Sequence, residues 1–242
     1  VGKALIFSEE KVDEYIQKWH EELLSKGISQ NQLDRSIEYA QMVSDHIMDW
    51  ANGDNYEQTR TFEKFTITED SSRWQPTPPA YMEAIEPHWN KMRTFVIDSG
   101  QQFIPVPPTP FDINEESVFF KEMKEVYEVG LNLSEEQSEI ASFWDCNPYV
   151  MNVRCHVMFA TKKITPGGHW AGIAKIACQM TDADLMKSSA TYALTSIALA
   201  DGFISCWDEK YRSNLIRPET VINKYLDEEW VPLLQTTPFP EY

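Results

Sequence analysis

The sequence predicts an all-α fold, a helical bundle, on three observations. Outside residues 54–116, apolar residues recur every three or four positions. Those runs open on Ser, Thr or acidic residues and several close on Gly. Strand-like alternation is scarce, and no internal repeat or low-complexity segment interrupts the pattern.

Taken in order, Ser8 with Glu9 and Glu10 reads as an N-cap and acidic first turn. Val12, Ile16, Trp19 and Leu23 then keep helical spacing up to Gly27. Ser29 caps a second helix whose stripe runs through Leu33, Ile37, Ala40, Val43, Ile47 and Trp50 to Gly53, and the two are expected to pair antiparallel. Residues 54–116 break the pattern with eight prolines and hold one short helical candidate, Tyr81 to Ile85. Trp74, Tyr81, Trp89, Phe95, Phe103 and Phe111 mark this long irregular segment as chain wrapped on a helical body rather than disordered. Helices resume at Ser117, with Phe120, Met123, Val126 and Tyr127 periodic before Gly130. The next starts at Ser134, where Gln137 completes a capping box ahead of Ile140, Phe143 and Trp144. Thr165-Pro166-Gly167-Gly168 is a turn into a helix from His169 to Gln179. Thr181 caps a long apolar run, Asp182 to about Arg217, expected at the centre of the bundle. The chain is read as a single helical domain, 1–242, of seven to nine helices.

The 242 residues, 42% hydrophobic and 12% aromatic, can bury a sizeable core. No run approaches the roughly 20 apolar residues of a membrane-spanning helix. A net charge of -17 argues against nucleic acid as a partner and makes any local cluster of cations informative. Cys146, Cys155, Cys178 and Cys206 lack Cys-x-x-Cys spacing, so reduced core thiols are expected rather than a zinc site, with a Cys146–Cys155 disulfide open. His20, His46, His88, His156 and His169 show no paired metal-ligand spacing and read as surface or core histidines. No Gly-x-Ser-x-Gly, phosphate-loop or dinucleotide fingerprint is present. The acidic runs read as helix starts or solvated faces.

The informative segment is Trp207 to Pro218. Lys210 and Arg217, seven apart, differ by about 20° of rotation on a helix, so they share a face and can close on one tetrahedral oxyanion. Pro218 places Arg217 at the helix end, near a loop. The alternative from geometry alone is a solvated helix end whose Lys and Arg favour the helix dipole and bind nothing.

Lys210, six residues, then Arg217-Pro218 resembles the first of three motifs in the superfamily joining vanadium-dependent haloperoxidases, bacterial acid phosphatases and type-2 phosphatidic acid phosphatases. Ser134 to Trp144 resembles that family's capped helix, and Thr165 to Ile173 its Pro-Gly-His-Trp-like turn. The second motif, Pro-Ser-Gly-His, and the third, with a further Arg and the His that bonds the anion, do not occur in these residues. Pro238 to Tyr242 lies where the second would begin.

The resemblance implies a bundle of the haloperoxidase and acid-phosphatase type lacking its last helices. It implies Lys210 and Arg217 as catalytic and anion-holding residues, and Trp207 and Phe239 as apolar lining of the cofactor site. The cofactor implied is vanadate, in an enzyme oxidising halide with hydrogen peroxide. The alternative is a phosphatase with no cofactor, where phosphate is the group bound. On either reading the remainder of the enzyme beyond Tyr242 is a partner, and the chain alone is expected to be inactive. A non-catalytic helical binding module, docking through residues 74–111, is the alternative from another class. Localisation is open, with a periplasmic or secreted site suggested by the resemblance alone, and a homo-oligomer is also left open.

Overall fold

The computed structural model describes residues 2–5, 8–147, 149–154 and 157–241; the readings placed on Cys155, His156 and Tyr242 lie outside them. It is mostly helical, with one two-stranded sheet among the described residues. Two compact units divide the chain, Val1–Glu57 and Gln58–Tyr242.

In the first unit α1, Glu9–Ser25, packs on α2, Gln30–Asn52. Ser29 caps α2 as expected, and does so in a full capping box, its hydroxyl accepting from Gln32 N while Gln32 Oε1 accepts from Ser29 N. Leu33 is buried, while Ile16, Trp19, Ile37, Val43 and Ile47 of the two stripes remain exposed.

The second unit contains α3, Val118–Leu131; α4, Glu135–Trp144; α5, Pro166–Met180; α6, Leu185–Ser213; and α7, Pro218–Tyr225. Ser117, Ser134 and Thr165 cap α3, α4 and α5 by accepting from the backbone three residues on, the first two where helices are expected to start and the third where a turn is expected. Pro166 sits at the first helical position of α5, so that helix starts earlier than His169. The buried core joins α3 to α7 through Phe119, Met123, Ile216 and Val221, with Phe111, Leu215 and Tyr225 against it.

Four expectations are corrected. Thr181 ends α5 instead of starting α6: Asp182 turns left-handed at φ 47°, Ala183 N bonds Cys178 O, and Asp184 caps α6. Tyr81 to Ile85 is not helical, because Ile85 is bonded on both sides by remote groups, its N–H to Pro238 O and its carbonyl to the Tyr211 hydroxyl. α6 is not buried throughout; Leu185, Met186 and Leu194 are exposed, and burial begins near Asp201. Cys206 is an exposed thiol rather than a core one, whereas Cys146 and Cys178 are half-buried; all three are free. The antiparallel hairpin β1, Tyr149–Arg154, and β2, Val157–Lys162, had no clear signal in the sequence. Gln235 joins β1 to the C-terminal segment by bonding both the N–H and the carbonyl of Met151.

Residues 60–116 hold one 3₁₀ turn, Trp89–Lys91, among otherwise irregular chain. Their fastening is polar as well as aromatic. Trp74 is wholly buried, but Tyr81 and Phe103 face solvent. Asp201 of α6 accepts from three successive backbone N–H groups, those of Phe95, Val96 and Ile97 at 2.7, 2.8 and 3.2 Å. About two turns on, Asp208 accepts from Asn90 at 2.8 Å. Between them Gly100 lies so close that a Cβ would sit 3.2 Å from Ile204 O.

Candidate functional site

The last two turns of α6 are its most buried part. Trp207, Asp208, Glu209 and Lys210 are all shielded, three of them charged. Asp208 and Glu209 both pair with Arg212, whose single positive charge offsets one of their two, and Asp208 also accepts from the amides of Asn90 and Gln101. Lys210 has no carboxylate partner on its own helix.

Helix α6 stops at Ser213, because Asn214 adopts a left-handed conformation, φ 47°, and its N–H bonds Lys210 O at 2.8 Å. Arg217 therefore does not extend the helical face of Lys210, as the seven-residue spacing predicts. It is the N-cap residue of α7, in extended conformation before Pro218. Leu215 forms bridges to Arg73 on one side and Glu241 on the other, and Glu241 N donates to Leu215 O at 3.1 Å. This short ladder carries the C-terminal segment alongside Arg217.

The guanidinium of Arg217 is fixed by three hydrogen bonds to that segment. Nε donates to Phe239 O at 2.9 Å, one terminal nitrogen to Thr237 Oγ1 at 3.0 Å, and the other to Glu241 Oε2 at 2.8 Å. Lys210 Nζ lies 4.0 Å from the second Glu241 oxygen. Both cations also stand over the Phe239 ring, 5.1 Å for Lys210 and 5.0 Å for Arg217, within cation–π range. The two side chains thus converge, from two helices rather than one, on Phe239 and Glu241.

Burial pushes the Lys210 amine below its ordinary range; Glu241 and Cys206 pull it back, and Arg217 adds to the depression. Burial likewise lowers Arg217, against the opposing pull of Glu241, Glu219 and Tyr211. Two shielded cations that repel each other favour an anion between them, and here a carboxylate occupies that position.

An aromatic wall closes one side. Trp207 stacks on Phe239 at 4.8 Å between centroids, and Trp89 and Phe203 stack on Trp207 at 4.8 and 5.3 Å. The indole N–H of Trp207 is buried without a protein acceptor. Trp89 reaches this wall from the irregular segment, a link that sequence reasoning gives no means to see. Glu241 and Thr237 were also missed. A search for an acid to balance two shielded cations would have pointed to the region of Phe239, where Glu241 stands two residues away.

Two histidines of this unit have other partners. His169 is buried in the aromatic cluster of Phe143 and Trp144, with Nδ1 2.9 Å from Cys146 Sγ. His88 bonds Glu63 O through Nε2. Among the described residues, no group of three or more His, Cys, Asp or Glu is arranged to hold a metal ion, and no helix is long and apolar enough to cross a membrane.

No family model matches the chain, and a search of curated proteins gave no match. Among solved structures, the chain is similar to one described as the crystal structure of the first bacterial vanadium-dependent iodoperoxidase. The identity is 52% over 99% of this chain, with a TM-score of 0.85. The chain spans 56% of the length of that protein.

Proposed function

The chain belongs to the vanadium haloperoxidase superfamily, and from that premise we propose that it supplies the first cationic half of an oxyanion site in an enzyme that oxidises halide with hydrogen peroxide. Iodide is the halide favoured, since the similar solved structure is described as an iodoperoxidase. The observation that carries the reading is the convergence of buried Lys210 and Arg217 on one carboxylate beside Phe239.

The donor set fits vanadate. Lys210 and Arg217 present charged N–H groups that are shielded from water, and a carboxylate already shows that oxygen is received there. Trp207 adds a buried indole N–H without an acceptor. When bound, vanadate supplies Lewis acidity toward hydrogen peroxide without changing its oxidation state. Lys210 and Arg217 would hold the oxyanion and balance its charge, and Lys210, the less constrained of the two, would place a charged N–H against one of its oxygens. Trp207 and Phe239 form the apolar wall that excludes water and strengthens those contacts. Groups that bond the anion covalently are not among Lys210, Arg217, Trp207 and Phe239, so these residues alone are expected to bind anions weakly and to sustain no turnover.

The test is Lys210→Ala in the complete protein, with vanadate affinity measured by calorimetry beside iodide oxidation. Loss of one charge-assisted contact is worth about 1.5 to 3 kcal/mol, or roughly ten- to hundredfold in affinity. Arg217→Ala should weaken binding comparably and also lower stability, because its three bonds tie down residues 237–241. Unchanged vanadate affinity and turnover in both variants would refute the reading. Turnover of phosphomonoesters without halide oxidation would move the same cradle to the phosphatase branch.

A further inference from the structure

We infer that Glu241 is a resident counter-ion that limits how much anionic charge the site accepts, lowering affinity for a doubly charged tetrahedral oxyanion more than for a singly charged one. The inference rests on the oxyanion reading of Lys210 and Arg217.

Glu241 is the carboxylate between the two cations, 2.8 Å from Arg217 and 4.0 Å from Lys210. Its side chain is 31% exposed, whereas those of Lys210 and Arg217 are 11% and 8% exposed. It does not have to be there to hold Arg217 in place. Arg217 keeps hydrogen bonds to Phe239 O and Thr237 Oγ1 whether or not Glu241 is charged, and its two terminal nitrogens each carry a second N–H. What Glu241 contributes is charge. Lys210 and Arg217 bring two positive charges to this half of the site, and Glu241 reduces them to one. The repulsion between Glu241 and a bound anion scales with the anion's charge, so in this partly shielded place a dianion is disfavoured more than a monoanion.

The experiment compares two inert tetrahedral probes of similar size, perrhenate with one negative charge and tungstate with two, binding to the complete protein by calorimetry. Glu241→Gln keeps an oxygen for Arg217 and removes the charge. One unit charge acting over about 5 Å, at an effective dielectric of about 50 for this partly exposed acid, predicts tungstate binding about a hundredfold tighter and perrhenate about tenfold tighter in the variant. Glu241→Ala, with Arg217 still held by Thr237 and Phe239, serves if the glutamine variant does not fold. If Lys210→Ala weakens both probes but removal of the Glu241 charge leaves the tungstate-to-perrhenate ratio unchanged, or weakens tungstate, the counter-ion role is overturned while the oxyanion reading survives. If Lys210→Ala leaves both probes unaffected, the oxyanion reading itself fails.

Discussion

Replacing Asp201 by Asn tests how the irregular segment is held against α6. Three successive backbone N–H groups converge on the carboxylate, Phe95 on one oxygen and Val96 and Ile97 on the other. Asparagine can accept at only one end, so in either orientation its NH₂ group faces at least one backbone donor. If the oxygen keeps Val96 and Ile97, the Phe95 N–H loses its partner, which costs about 1 to 3 kcal/mol, and the two retained bonds weaken from charged to neutral by about 1 kcal/mol each. The sum is a destabilisation of about 3 to 5 kcal/mol at neutral pH, read from urea unfolding of the complete protein.

The pH dependence gives the second half of the test. Burial would raise the Asp201 pKa, but the three backbone bonds outweigh it and hold the pKa below the ordinary 3.8. A depressed folded pKa makes its contribution fully present above the ordinary value and lost as pH falls through the folded one. The gap between wild type and Asp201→Asn should therefore persist at neutral pH and narrow in acid. A neutral-pH gap below about 0.5 kcal/mol, the range of an indifferent surface change, or one that does not narrow in acid, would refute the reasoning.

Two further predictions follow from the same helix and its neighbours. Gly100→Ala puts a Cβ 3.2 Å from the Ile204 carbonyl and the Asp208 Cβ, neither of which can swing away, so a loss of about 1 to 3 kcal/mol is expected in thermal melts, and an unchanged melt would mean the loop can retreat. Buried Glu219 has its pKa raised, chiefly by burial, against a hydrogen bond from Thr236 and the charge of Arg217. The folded state therefore binds that proton more readily than the unfolded one, and stability falls as pH rises from the ordinary carboxylate value through the raised one. Glu219→Gln should remove that fall, which melts at pH 4 and pH 7 would reveal; an unaltered pH slope would contradict it.

What could be read in the sequence was local. Ser29, Ser117, Ser134 and Thr165 cap helices through contacts three residues long, so the residues that make each bond are visible together in the chain. Thr181 failed because two adequate caps compete within four residues, and the left-handed Asp182 leaves the later one, Asp184, to start α6. Tyr81 to Ile85 failed because Pro238 and Tyr211, more than a hundred residues away, take the backbone groups that a helix would use. The candidate site falls between these cases. Its residue types could be picked out, since Lys210 and Arg217-Pro218 carry the resemblance to a family motif, but Trp89, Thr237 and Glu241 enter only through long-range packing.

The convergence of Lys210 and Arg217 depends on the helix ending where it does. On a continuous helix their backbones would stand roughly 10 Å apart along one axis, and both side chains would have to reach for a common ligand. Instead Asn214 ends α6, and the next residues run extended between Ser72–Trp74 and the C-terminal segment. Pairing of Leu215 with Glu241 in antiparallel register sets Arg217 opposite Phe239 two residues further along. That is why the Arg217 Nε bonds the Phe239 carbonyl and why Glu241 lies within reach of the guanidinium. The same turn makes Arg217 the N-cap of α7, so the positive end of that helix dipole adds to the field of the two cations. An oxyanion here would meet a backbone potential as well as side-chain charge, with Glu219 in the first turn and Glu241 across the ladder as the acids that limit it.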